Sequence, residues 1–277
     1  MADQSDVEAA LAGVVGGALY PVGIGAACAV PAAICRIYRG WPVSAALDAD
    51  LAAGLVNVSV VAVAGQGLNT TRWPDLWTVP RVTAPRLFVN VVGGTATFSG
   101  DAGAGQLAAL VAGGRATVHR TQAGDTPASV AAALGRQMLA SGAASVSGAT
   151  VTLPGVVVLL ARVEADQPVL RQTRRQSQAF RVTAWCPDPM TRDAIGGAID
   201  SALSGIDFVG LADGTSGRLR FLTSSVSDRW EDAALYRREL TYSVDYPTTI
   251  AAVLPRMAVG EMQLAVNGIA VGPDIPS

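Results

Sequence analysis

Hydrophobic and polar positions fall into blocks along this chain, and each block predicts an element. Val7, Ala10, Leu11, Val14, Val15, Ala18 and Leu19 recur on one helical face behind a capping box of Ser5 and Glu8, which predicts an opening helix. Gly16-Gly17 and Tyr20-Pro21 weaken and end it. Ala33 to Tyr38 reads as a strand that enters the turn Arg39-Gly40-Trp41-Pro42, and a short helix follows from Ala45 to Ala53. The β-branched run from Leu55 to Ala64 predicts a further strand. Gly65 to Pro85 keeps no period. It carries Asn69, Arg72, Trp73, Trp77 and three prolines, and is expected to be a loop or extended arm.

From about residue 86 to 162 the pattern shifts to short alternating runs rich in Gly, Ala and Thr. LFVNVV, TATFSG, QLAALVAG and RATVHRT read as four strands, Thr126 to Leu139 as a helix started by Asp125, and Ala144 to Val163 as two or three more strands. Gly93-Gly94, Gly103 to Gly105 and Gly113-Gly114 are expected to be hairpin turns, because strands follow them.

The first character returns at about residue 172. Gln176 to Cys186 predicts a strand, and Pro187-Asp188-Pro189 starts a helix with Ile195, Ile199, Leu203 and Ile206 on one face. Leu219 to Val226 and Ala233 to Tyr246 complete the set. In the last of these Tyr236, Leu240, Tyr242, Val244 and Tyr246 alternate with Arg237, Glu239, Thr241, Ser243 and Asp245, so one face is buried and the other wet or shared. The tail from Pro247 to Ser277 is apolar enough to supply an edge strand to a neighbour.

These blocks predict an α+β protein. A small antiparallel or mixed sheet flanked by helices is built from two matching halves, 1–85 and 163–247. A β-sandwich-like domain, 86–162, is inserted between them, and 248–277 form a C-terminal arm.

Composition changes the picture in three places. Half of the 277 residues are hydrophobic but only 5% are aromatic, so the core must be built from Ala, Val, Leu and Ile. All 20 basic residues are arginines, which fits a GC-rich genome as well as a need for planar hydrogen-bonding forks. The net charge of −2 removes any global electrostatic case for nucleic-acid binding. The apolar run from Val7 to Ile37 begins with Asp3, Asp6 and Glu8 and is broken by Pro21 and Pro31, so neither a signal peptide nor a membrane span is expected.

Candidate chemistry is sparse. Cys28, Cys35 and Cys186 are too few and too scattered for a disulfide framework or zinc site, and read as small buried apolar residues in a reducing cytoplasm. His119, the one histidine, sits in an alternating strand with no visible triad partner. Asp188, Asp193 and Asp200 read as helix capping and solvation. No catalytic, cofactor or metal site is expected. The candidate functional residues are instead inter-subunit contacts: Asn69, Arg72, Trp73 and Trp77 on the arm, Arg171, Arg174, Arg175 and Arg181 at the return to the host domain, and Arg237 and Glu239 on the closing strand. The arginine group is expected to pair with acidic patches such as Glu231 and Asp232.

The host domain's order, a capped helix, a strand with an arm, RQSQAFRVTAWC, the helix PMTRDAIGGAIDSAL and the strand YRRELTYSVDYPTT, resembles the tail terminator, or tail completion, proteins of tailed bacteriophages. The insertion from Gly113 to Leu134 resembles a β-rich decoration module of phage tail proteins. The first resemblance implies a non-enzymatic virion protein of the tail or neck, assembled in the host bacterial cytoplasm as a hexameric ring. Its partners would be the tail tube protein and the head-side connector or stopper, with the tail sheath as a further neighbour. DNA would pass through the lumen without specific binding, and no membrane is involved. Known members are mostly shorter, so the insertion and tail are departures. A related tube or connector protein is the alternative within the virus. From another class, AGDTPASVAAAL also resembles the opening of a LysM peptidoglycan-binding module, which would follow its first helix with a second.

Overall fold

The computed structural model describes residues 2–70, 76–139, 144–229, 235–258, 264–266 and 269–271. The chain forms two compact units, Met1–Pro80 with Leu170–Ala251, and Arg81–Val169 with Ala252–Ser277. It is an α+β protein, with four helices among the described residues and one large multi-stranded sheet.

In the first unit, α1 (Gln4–Leu19) is followed by β1 (Cys35–Arg39), α2 (Ser44–Ala52), β2 (Val56–Thr70) and β3 (Trp77–Thr78). Asp3 rather than Ser5 caps α1: its side chain accepts from the Ser5 and Asp6 amides, while Asp6 accepts from the Asp3 amide. The box is closed by two short carboxylates two residues earlier than the Ser-to-Glu spacing suggests. β2 runs on through the predicted arm to Thr70, because an irregularity opposite Gln178 and Phe180 absorbs Gly65, whose φ of 73° suits glycine alone.

The second unit opens with the hairpin β4 (Leu87–Val92) and β5 (Thr95–Gly100), then β6 (Gln106–Ala112) and β7 (Arg115–Arg120), α3 (Pro127–Leu139), and the short strands β8 (Ser145–Ser147) and β9 (Thr150–Thr152). β10 (Leu159–Ala165) follows. Two sheets, ordered β4-β5-β9-β8 and β10-β6-β7, share with α3 a core of Leu87, Phe98, Leu110, Val130, Leu134 and Val151. Gly113 and Gly114 form the predicted hairpin turn with φ of 55° and 75°. Gly103 to Gly105 instead carry the chain from one sheet to the other. The Gln106 side chain closes that crossing: it accepts from the Arg86 and Leu87 amides and donates to the Asp101 and Gly103 carbonyls. The start of α3 also differs from expectation. Thr126 and Ser129 exchange side-chain to backbone bonds there, while Asp125 accepts from the Gln122 amide and the Ser129 hydroxyl.

β11 (Gln167–Cys186) leads back to the first unit, followed by α4 (Pro189–Ser204), β12 (Phe208–Gly210), β13 (Ser216–Arg229) and β14 (Leu235–Leu254). β15 (Leu264–Val266) and β16 (Ile269–Val271) pair with each other. The host sheet has seven strands, ordered β1-β2-β11-β14-β13-β12 with β3 on β11, so it is larger than the small sheet expected. β1 runs parallel to β2, and β2 antiparallel to β11. Asp188 caps α4 by accepting from the Thr191 amide and hydroxyl. The ridges Val7, Leu11, Val15 and Leu19 of α1 and Ile195, Ile199 and Leu203 of α4 enter one core, as matching rows four residues apart allow.

Candidate functional site

Because side chains alternate along a strand, the host sheet has two unlike faces. Phe180, Val182, Ala184 and Cys186 of β11 and Leu240, Tyr242, Val244 and Tyr246 of β14 join the core under α1 and α4. The intervening residues, from Arg175 to Trp185 and from Arg237 to Asp245, make the other face.

That second face is polar and internally paired. Arg175 Nε lies 3.0 Å from Asp245 Oδ1, and the Ser177 and Ser243 hydroxyls are 3.1 Å apart. Arg181 and Arg237 converge on Glu239 Oε1, at 3.6 and 3.5 Å. The Glu239 side chain is only 15% exposed, so the two guanidinium groups offset a carboxylate largely removed from water. Further along, Ser59 and Thr183 face each other in register. Both are fully buried and neither hydroxyl has a hydrogen-bond partner. A buried unmade bond of this kind costs about 1–3 kcal/mol.

The other predicted contact residues are spread over β2, β3 and β11. Arg171 stacks on Trp77 with its guanidinium carbon 5.1 Å from the ring centroid. Arg174 Nε donates to Thr248 Oγ1 at 3.3 Å, and Asn69 is exposed opposite Gln176. Arg72 and Trp73 lie outside the described residues, as do Glu231 and Asp232. Arg175 and Arg181 meet Asp245 and Glu239 of their own sheet.

Sequence reading passed over Asp50. It is 8% exposed in α2 and accepts from Arg36 and from Asn57 Nδ2. A cleft of about 270 Å³ lies beside it, lined among others by Tyr38, Trp41, Val43 and Leu47. Trp41 packs edge-on against buried Trp185, and α2 sets Leu47 and Leu51 on Trp185. The carboxylate's partners are all supplied by the chain itself, so the cleft offers an aromatic wall and little free charge.

The two ends of the sheet also differ. At β1 the Tyr20 hydroxyl accepts from the Cys35 amide at 2.7 Å and donates to its carbonyl, and Glu8 accepts from the Ala62 amide. At the other end β12 covers β13 only from Ser216 to Arg218. From Leu219 to Arg229 no strand lies outside β13 among the described residues, and Phe221, Leu222 and Val226 are exposed there.

His119 Nε2 is 3.0 Å from Asp125 Oδ2, and the Ser129 hydroxyl donates to Oδ1 of the same carboxylate. Hydroxyl and imidazole thus both address the aspartate, which organises the start of α3 rather than activating a nucleophile. Bonds from Gln122, His119 and Ser129 hold the Asp125 carboxyl below the usual range. Among the described residues no group of three or more His, Cys, Asp or Glu is placed to hold a metal ion, and no helix is long and apolar enough to cross a membrane. No protein-family model matches the chain, and no curated protein matches its sequence.

Proposed function

We propose that this chain is a structural protein of the tailed-bacteriophage virion: a tail terminator that closes as a hexameric ring on the end of the tail tube and faces the head-side connector. The observation that carries this reading is the two-faced host sheet. A subunit of a closed ring needs two different surfaces that match each other on neighbouring copies. The polar ladder across β11 and β14 and the edge of β13, uncovered among the described residues, would serve as two such surfaces, on a sheet whose remaining face is sealed by α1 and α4. The element order of a terminator-like host fold supports the same reading. Arginines already matched by carboxylates, in a chain of net charge −2, suit a lumen through which DNA slides.

Light scattering of the purified chain at several concentrations and salt strengths, with electron microscopy of the same samples mixed with tail tubes, tests the proposal. A discrete six-subunit species, alone or capping tubes, is the expected result. Polymers that grow without limit would identify a tube protein. A monomer that ignores tubes and is retained on peptidoglycan would overturn the virion reading in favour of the LysM-like one.

A further inference from the structure

All three cysteines are free thiols, and the fold brings two of them together. Cys28 Sγ lies 3.9 Å from Cys35 Sγ, which corrects the expectation of scattered, merely apolar cysteines. We propose that Cys28 and Cys35 are a reversible dithiol–disulfide pair that staples the connection between α1 and β1. The backbone holds both thiols at the same place, the end of α1. Beside Cys28, the Ala29 amide donates to the Leu19 carbonyl at 2.8 Å, while Tyr20 bonds both the amide and the carbonyl of Cys35. Both residues keep partial solvent access, whereas Cys186 is buried. The bond requires the sulfurs to close to about 2.05 Å. They need approach by roughly 2 Å, within reach of side-chain rotation and a small shift of the exposed turns that carry Cys28.

The co-reactant is a low-molecular-weight disulfide such as oxidised glutathione. The Cys28 thiolate attacks one reagent sulfur, forming a mixed disulfide and expelling one thiolate. The Cys35 thiolate then attacks Cys28 Sγ and expels the second. Two protein thiols and one reagent disulfide become one protein disulfide and two reagent thiols, so atoms and electrons balance. Burial, followed by the neighbouring Cys28, pushes the Cys35 thiol up to about 12. Burial thus disfavours the Cys35 thiolate, so the first attack is assigned to Cys28 on its exposed turns, and closure by Cys35 should quicken as pH rises. Burial likewise pushes Cys186 up to about 12, which leaves it as the internal control.

The test treats the native full chain anaerobically with oxidised glutathione, unfolds and alkylates it, and reads intact mass and peptide map. The expected product is two hydrogens lighter, carries one alkylated thiol at Cys186 and a Cys28–Cys35 linked peptide, and melts about 5 °C higher until dithiothreitol reverses it. Cys186→Ser should still form the Cys28–Cys35 link, and Cys28→Ser should yield no internal link. Three alkylatable thiols after treatment, a glutathione adduct that persists at Cys28, or a link through Cys186 would each overturn the pair. Closure with no rise in Tm would overturn the staple.

Discussion

The two units solve the problem of a sheet's second face in opposite ways. The second unit folds two small sheets and α3 around one core, and at their crossing the Gln106 amide makes bonds through both its oxygen and its nitrogen, while Thr117 Oγ1 and Asp166 Oδ1 stay buried without a partner. The first unit keeps one broad sheet, places α1 and α4 on one face, and leaves on the other a half-buried ladder of arginines, carboxylates and hydroxyls, with Ser59 and Thr183 unsatisfied. Apolar packing is indifferent to what arrives next, whereas an array of directional groups fits few partners. The contrast separates a unit closed around its own core from one that keeps a broad, half-buried polar face.

The largest way to break this contrast is to remove the packing that seals the first unit's apolar face. Ile199→Ala empties a fully buried site between α4 and the sheet and should cost about 2–5 kcal/mol in chemical unfolding. In the second unit the limit is room rather than contact. A Cβ at Gly135 would collide with Val146 Cγ2, so Gly135→Ala should cost about 1–3 kcal/mol and be rescued by Val146→Ala in a double-mutant cycle.

A smaller effect sharpens the role of α4. The side-chain and then backbone bonds of Thr191 hold the Asp188 carboxyl below its ordinary value. A depressed folded pKa contributes stability that is complete above the unfolded value of about 3.9 and is lost as pH falls through the folded one. Asp188→Ala should therefore cost about 1 kcal/mol at neutral pH and flatten the acid limb of the stability profile below about pH 4. The smallest change in folding is expected on the polar face. Glu239→Gln should alter monomer stability by about 1 kcal/mol or less, since the lost ion pairs are offset by no longer holding a carboxylate away from water, yet shift the assembled species seen by light scattering. If assembly is untouched, the polar face is not a contact surface.

Much of the apolar architecture was legible from periodicity alone. The faces of α1 and α4 and the alternation from Leu240 to Tyr246 carry a regular spacing that burial imposes, and the structure places them in the core accordingly, whereas Tyr236, expected on the same face, is only half-buried. Boundaries were less legible. Gly65 and Gly67 look like the end of β2, but a local irregularity keeps the ladder going, and strands as short as β3 and β12 have no period to detect. Caps went astray by one or two residues, at Ser5 and at Asp125, because several adjacent small polar residues can each supply an acceptor. The candidate site was legible as a set of arginines but not as pairs. Arg181 meets Glu239 only through strand register, and Cys28 meets Cys35 only because Tyr20 folds the intervening turns back on α1.

One short strand carries a consequence for how such a chain comes to exist. β3 pairs Trp77 with Arg171 and Thr78 with Leu170, so the points where the chain first leaves the first unit and re-enters it lie beside neighbouring rungs of one ladder. A tight turn can span that gap as well as the present stretch from Arg81 to Val169 does, because loop length weighs little once the ends are held together. A hairpin at this position would accept such a segment without breaking the β3–β11 pairing. The same site is where a laboratory could exchange that segment for another cargo.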